Sequence, residues 1–223
     1  MATEHVLRTG AGITTDEATV AITYQRTTIV CDEVAQWVKE GRVFQAGAGV
    51  LTTPEAQGVE TITRQEPQLM IRVPASIVVV PLMVIWTPEA TTAVLEMLVS
   101  CCNNDPGVSN RTATTPVNVN TRYAANNSAV TVYITDTDVS GTAPTGVADL
   151  YREYHQADRD AITGAPTPPL IYNPRVGHGI ECVIGNNSTT QAFLVHAVDG
   201  AVTTNTGFII ATWAEFTYDE YYG

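Results

Sequence analysis

The sequence predicts an all-β domain of jelly-roll type, a sandwich or barrel with one short helical insertion. Three observations predict it. Threonine and valine are over-represented, and both stiffen χ1 and fit a pleated sheet. Apolar runs recur with turn signals spaced roughly eight to twelve residues apart. Strand patterns do not alternate with helical ones, which argues against an α/β fold.

Residues 1–17 are polar and read as a flexible N-terminal segment. Residues 18–218 read as the single jelly-roll domain, and residues 219–223 as an acidic, aromatic tail. Within the domain, residues 19–31 (TVAITYQRTTIVC) form the first strand pattern. Residues 32–40 (DEVAQWVKE) are a short amphipathic segment that Asp32 can cap and Gly41 can end. Residues 42–51 read as a strand, as do residues 60–64 and 68–73. The strongest apolar run is IVVVPLMVIW at 77–86, with Pro81 expected at a bulge or bend. A turn at Thr87-Pro88-Glu89 follows, then a segment at 91–102 whose context favours strand.

Residues 103–116 are a polar loop. Residues 117–123 and 129–135 alternate with period two. Residues 147–162 (VADLYREYHQADRDAI) place Leu150, Tyr154, Ala157 and Ala161 on one side of a helix, and this is the predicted insertion. TGAPTPP at 163–169 ends it. The last third predicts strands at 179–184, 191–198 and 207–218. Asn186-Asn187-Ser188 and Asp199-Gly200 supply the turns between them.

Composition narrows the class of function. The chain has 223 residues, 15% charged, with a net charge of −12. Ordinary domains carry about 25% charged residues. Lys39 is the only lysine, and no basic run stands at either end. Phosphate recognition needs clustered cations, so direct nucleic-acid binding is not expected. The four cysteines, Cys31, Cys101, Cys102 and Cys182, form no CxxC pair and read as free thiols. Adjacent Cys101 and Cys102 point to opposite faces if they lie on a strand. The opening MATEHVLRTG has no apolar signal core, and the longest apolar stretch is too short to span a bilayer. The expectation is a soluble protein made without a signal peptide.

No catalytic fingerprint is present, and an enzyme is not expected. One motif has metal-binding chemistry. Asp136, Asp138 and Ser140, with Gly141 following, match the first half of a calcium loop, where closely spaced oxygens suit a hard cation. The glutamate such a loop needs at its twelfth position is replaced by Val147. Calcium is therefore a candidate, and no other cofactor is expected. His155 with Asp158 and Asp160 could form an acid–base face, but no nucleophile accompanies it, and a solvated helix face explains the charges better. His178 between two glycines and His196 on a strand read as structural. The N-x-S/T triplets, Asn126-Asn127-Ser128 among them, read as ordinary loop asparagines.

The C-terminal aromatics are the best interface candidates. Trp213, Phe216, Tyr218, Tyr221 and Tyr222 crowd the last strand and tail. Trp213 is opposite in phase to Phe216 and Tyr218, so one face can be core while the other meets a partner. Tyr and Trp are enriched at interfaces. The alternative is that all five rings fill one end of the barrel.

With these stretches in view, the chain resembles the single jelly-roll major capsid proteins of icosahedral viruses. The resemblance rests on IVVVPLMVIW, on VADLYREYHQADRD, and on the closing strands GIECVIGN, QAFLVHAV and GFIIATWAEFTY. It is architectural, covers most of the chain, and includes no diagnostic motif. Size, acidity and the absent basic arm are most similar to capsid proteins of membrane-containing phages and archaeal viruses. The resemblance implies a virion location and contact with identical subunits and other capsid proteins. It also implies proximity to an internal membrane or its minor proteins. On this reading the contact regions are the N-terminal segment, the 103–116 loop, the 140–170 excursion and the tail. A carbohydrate- or receptor-binding β-sandwich is the alternative, and exposed Tyr123 or Tyr172 in a groove would favour it. A cupin-like enzyme ranks last, because the four histidines are scattered.

Overall fold

The computed structural model describes residues 33–49, 54–56, 58–59, 62–88, 95–107, 111–135, 142–155, 168–199 and 206–223. The chain divides into two compact units, Met1–Glu40 and Gly41–Gly223. In the first, the described part is helix α1 (Glu33–Lys39). The glutamate in its first turn and the lysine in its last complement the helix dipole. The expected strand at 19–31 lies outside the described residues.

The second unit is a two-sheet sandwich. Its strands are β1 (Val43–Ala48), β2 (Glu55–Ala56), β3 (Gly58–Val59), β4 (Leu69–Val73), β5 (Ile77–Pro88), β6 (Leu95–Cys102) and β7 (Arg111–Thr114). They continue with β8 (Val117–Asn118), β9 (Thr131–Thr135), β10 (Ala148–His155), β11 (Leu170–Tyr172), β12 (Ile184–Gly185), β13 (Gln191–Asp199) and β14 (Thr206–Thr217). A short helix, α2 (Tyr218–Tyr222), closes the chain. One sheet runs β11-β5-β14-β1-β8 and the other β10-β6-β13-β4-β9-β7.

Eight strands give the topology: β1, β4, β5, β6, β10, β11, β13 and β14, taken in chain order. The first, eighth, third and sixth make one sheet. The second, seventh, fourth and fifth make the other. Strands so interleaved between two antiparallel sheets form a jelly roll. The β7–β9 pair widens the second sheet beyond β4.

The core lies between the sheets. Phe44, Trp86, Ile209 and Trp213 of the first sheet meet Leu69, Ile71, Val99, Phe193 and Val195 of the second. Burying each such side chain contributes roughly 1.5–3 kcal/mol. β5 carries the strong apolar run and pairs along its length with β14. Thr212 pairs with Met83, but Trp213 pairs with Pro81, so Leu82 is the extra residue of a bulge. Proline has no N–H to give the ladder, and the bulge falls beside it as the sequence implies.

Several sequence expectations need correction. The predicted helix at 147–162 is a strand over its described part, β10, paired antiparallel with β6 from Ala148↔Cys101 to His155↔Leu95. The free edge of β6 needs backbone partners, and satisfying it outweighs a weak i,i+4 apolar pattern. A register shift between Asp149 and Tyr151 lets the consecutive Leu150 and Tyr151 both pack against the core. Arg152, expected on a solvated helix face, instead pairs across the ladder with Glu96. β5 runs through Pro88, so Thr87 and Pro88 belong to a strand and not to a turn. The loop at 103–116 contains β7, and the strand expected at 117–123 gives way after Asn118 to a single 3-10 turn at Thr121–Tyr123. Asn120 caps that turn by accepting from Arg122 N. Of the strands expected at 179–184 and 60–64, the described residues keep only Ile184 in β12 and none at 62–64.

Candidate functional site

Residues 218–222 form an anchored helix where the sequence reading expected, at 219–223, a tail. Thr217 and Glu220 form a capping box: the Thr217 side chain accepts from Glu220 N, and Glu220 accepts from Thr217 N at 2.9 Å. Tyr218 N donates to the carbonyl of Ser76 at 2.9 Å, which ties the helix to the turn before β5. Arg42 donates two hydrogen bonds of 3.2 Å to the Glu220 carboxylate and lies 5.1 Å above the Phe216 ring. The Arg42 guanidinium, helped by the cap, holds the Glu220 carboxyl down at about 2.

The aromatic rings stack on this frame. Tyr218 and Tyr222 are 4.8 Å apart, Tyr221 and Tyr222 4.9 Å, and Phe216 and Tyr221 5.4 Å. Tyr222 keeps 55% of its surface exposed and Tyr221 36%. Four of the five aromatic residues proposed for an interface thus form one cluster at the surface. Trp213 does not join them. It is fully buried in the core, opposite Phe44 of β1, so its assignment to an interface is corrected. The phase read from the sequence is right, and the inward phase is the core one.

Below the cluster, β14 carries a buried carboxylate. Glu215 accepts from Trp213 Nε1 at 2.7 Å, from Ala129 N at 2.8 Å and from the Ser128 hydroxyl. Burial pushes its pKa up, against these three donors. The contact ties the first sheet to the segment that leads into β9 of the second.

The second sheet holds a different polar cluster. His196 on β13 is 1% exposed. Its Nε2 lies 3.4 Å from the Arg64 carbonyl, which can only accept, so Nε2 carries the proton. Nδ1 has no partner, and neither does the hydroxyl of Ser100, which pairs with Leu194 on the neighbouring strand. Burial pushes the His196 pKa down to about 4. Arg64 grips Asp149 through two hydrogen bonds of 2.6 and 2.8 Å, and this pulls the Asp149 carboxyl below its usual range. Ser100, His196 and Asp149 share a region, but Ser100 makes no hydrogen bond to the imidazole. The arrangement is that of a covered polar core rather than of an activated nucleophile.

The thiols are the third grouping. Cys101 and Cys102 point to opposite faces of β6, as adjacency on a strand requires. Cys101 packs against the inter-sheet core, and Cys102 packs with Met70, Ala192 and Leu194 on the far side. Cys101 shares a side-chain hydrogen bond with Cys182, in the irregular stretch before β12. The sequence carries no signal for this pairing, because Cys101 lies in β6 of the second sheet and Cys182 in the irregular stretch before β12 of the first, and they meet only through the interleaved topology.

The calcium candidate, Asp136, Asp138 and Ser140, lies outside the described residues. Among those described, no group of three His, Cys, Asp or Glu side chains is arranged to hold a metal ion. His178 is exposed in a loop closed by a bridge to Asn173. No helix among the described residues is long and apolar enough to cross a membrane. No family model matches the chain, and neither a curated protein nor a solved structure does.

Proposed function

We propose that the chain is a structural capsid subunit that self-assembles into an icosahedral virus shell. The observation that carries this reading is the strand order, a single jelly roll with two further strands at one sheet edge. Jelly rolls serve in capsids, lectins and cupins, so the fold narrows the field and does not by itself choose. Three features favour the capsid. Apolar side chains stand exposed in separate places: Val176 and Ile180 before β12, Val117 at the β8 edge, and Tyr222 in the C-terminal cluster. Several such patches suit repeated contact with identical neighbours better than one ligand groove. Tyr172, which a sugar-binding groove would expose, is fully buried. The net charge of −12 with a single lysine disfavours genome contact and suits a shell outside an internal membrane.

Electron microscopy of the purified protein over a range of concentration and salt tests the proposal. Closed particles or regular capsomer arrays are expected. A strictly monomeric species at high concentration, or specific binding on a glycan array by a non-assembling form, would overturn it.

A further inference from the structure

We propose that Cys101 and Cys182 form a redox pair that closes into a disulfide between β6 and the irregular stretch before β12 on reaction with a small-molecule disulfide. The geometry is built from four contacts. Cys101 stands in β6 opposite Ala148 of β10. Two residues further along β10, the Leu150 carbonyl accepts from Ile180 N at 2.8 Å. The Tyr172 hydroxyl donates to the Ile180 carbonyl at 2.9 Å, which holds the same stretch from the first sheet. Cys182 follows two residues later, and both cysteines pack against the same inter-sheet core, where the two thiols interact. Both cysteines are half-buried, so a small reagent reaches them while the surrounding core stays closed.

The two thiols are not equivalent. Cys101 is drawn down to about 7, chiefly because the Cys182 thiol donates to it. Cys182 is pushed up, because it keeps the proton it donates. Cys102 is an internal control. It is buried, its thiol donates to the Asn104 carbonyl at 3.2 Å, and desolvation raises it to about 11. A thiolate attacks and a buried thiol does not. Gly179, at φ +113°, lies against the Tyr172 ring and the Leu150 carbonyl, so no side chain fits where the stretch crosses them.

The reaction balances as thiol–disulfide exchange. The Cys101 thiolate attacks one sulfur of a reagent RSSR, forms a mixed disulfide and expels RS⁻. That thiolate takes the Cys182 proton. The new Cys182 thiolate attacks Cys101 Sγ, closes the protein disulfide and releases a second RS⁻, which takes a proton from water. Two protein thiols give up two electrons, and one RSSR becomes two RSH.

The experiment treats the native chain with oxidised glutathione, counts the remaining thiols and maps the linked peptides by mass spectrometry. A Cys101–Cys182 linkage with Cys102 still free is expected. Closing so long a loop raises the melting temperature by roughly 10 °C, reversed by dithiothreitol. Cys101→Ser and Cys182→Ser each abolish the linkage and the shift. The wild-type peptide map decides alone if either variant fails to fold. A linkage through any other cysteine, a mixed disulfide that persists on Cys101, or no loss of thiols would each overturn the proposal.

Discussion

Glu215, on the inner face of the first sheet, and His196, on the outer face of the second, are both buried titratable side chains, yet their surroundings differ. Glu215 is met by three donors, from Trp213, Ser128 and Ala129. His196 has one long contact to Arg64 and an unpartnered Nδ1. The difference follows the face each occupies, since His196 lies beneath an outer face that is covered. On the first sheet Gly47, Thr87 and Ile210 are open to water, although residues 78–82 and 213–215 are buried on both faces. The second sheet is buried on both faces through residues 69–71, 97–100 and 192–198. Long polar side chains form part of its cover. Arg111 reaches Met70 Sδ and the Gln65 carbonyl, Arg72 pairs with Asp105, and Arg64 pairs with Asp149. Such a cover excludes water without saturating every polar atom beneath it. The comparison teaches that a polar group inside this fold is a tie where donors are built for it, and a liability where only a cover lies over it.

The largest effect should come from removing the tie. Glu215→Ala leaves the Trp213 and Ala129 N–H groups without an acceptor, each at a cost of about 1–3 kcal/mol, and separates β14 from the segment before β9. A loss of about 3–5 kcal/mol in urea denaturation is expected. Glu215→Gln keeps an acceptor for Trp213 and Ser128 but turns an amide toward Ala129 N, so its loss should be smaller. A loss below about 1 kcal/mol for the alanine variant would break the contrast between tie and liability.

The liability should appear as a pH dependence. His196 titrates near 4 in the folded chain against 6.5 in the unfolded one. The unfolded state therefore binds more protons between those values. Stability attributable to His196 rises as pH climbs from about 4 to about 6.5, by roughly 3 kcal/mol as an upper bound. Glu215 has the opposite sign, because its folded pKa is raised. Its contribution falls as pH rises from 4.5 through its folded value. Denaturation curves of wild type and His196→Gln across this range separate the two. The difference between them should slope upward with pH and flatten above about 6.5. A flat difference would show that the covered histidine is hydrated in solution.

Much of this fold was legible from the sequence. β5, β13 and β14 are long apolar runs whose period and length leave little choice, and Pro81 marks its own bulge. The failures have physical causes. β10 reads as a helix because i,i+4 spacing of Leu150 and Tyr154 is a local signal, whereas the edge of β6 that captures it is non-local. The Cys101–Cys182 contact is likewise a product of topology. Other features had signals that went unread. Thr217-x-x-Glu220 is a capping box, and it announces α2 where an acidic, aromatic tail was expected. Glu215 occupies the same inward phase as Trp213, which identifies a buried carboxylate in need of donors.

A smaller effect concerns that overlooked cap. Thr217→Ala removes the acceptor for Glu220 N and should cost about 1 kcal/mol. The exposed Arg42–Glu220 pair adds little and weakens with salt. The readout that matters is local. Hydrogen exchange at the amides of 218–222 should speed up in the variant while the amides of β13 stay protected. Faster exchange at both sites would mean that α2 supports the whole sandwich.

The smallest effect should come from the open face of the first sheet. Ile210 is 39% exposed on β14, on the side away from the core. Replacing it with threonine keeps the β-branch and the strand propensity, so folding stability should stay within about 0.5 kcal/mol of wild type. The same change at Leu194, on the outer side of the second sheet and fully buried, should cost several times more, because a hydroxyl would enter a closed apolar cluster. The pair of substitutions also bears on assembly. If Ile210→Thr leaves the fold intact but prevents particle formation under electron microscopy, the open face is a subunit contact. It is then uncovered in the isolated chain because a neighbouring copy covers it in the shell. If assembly is unchanged, the open face is not a subunit contact.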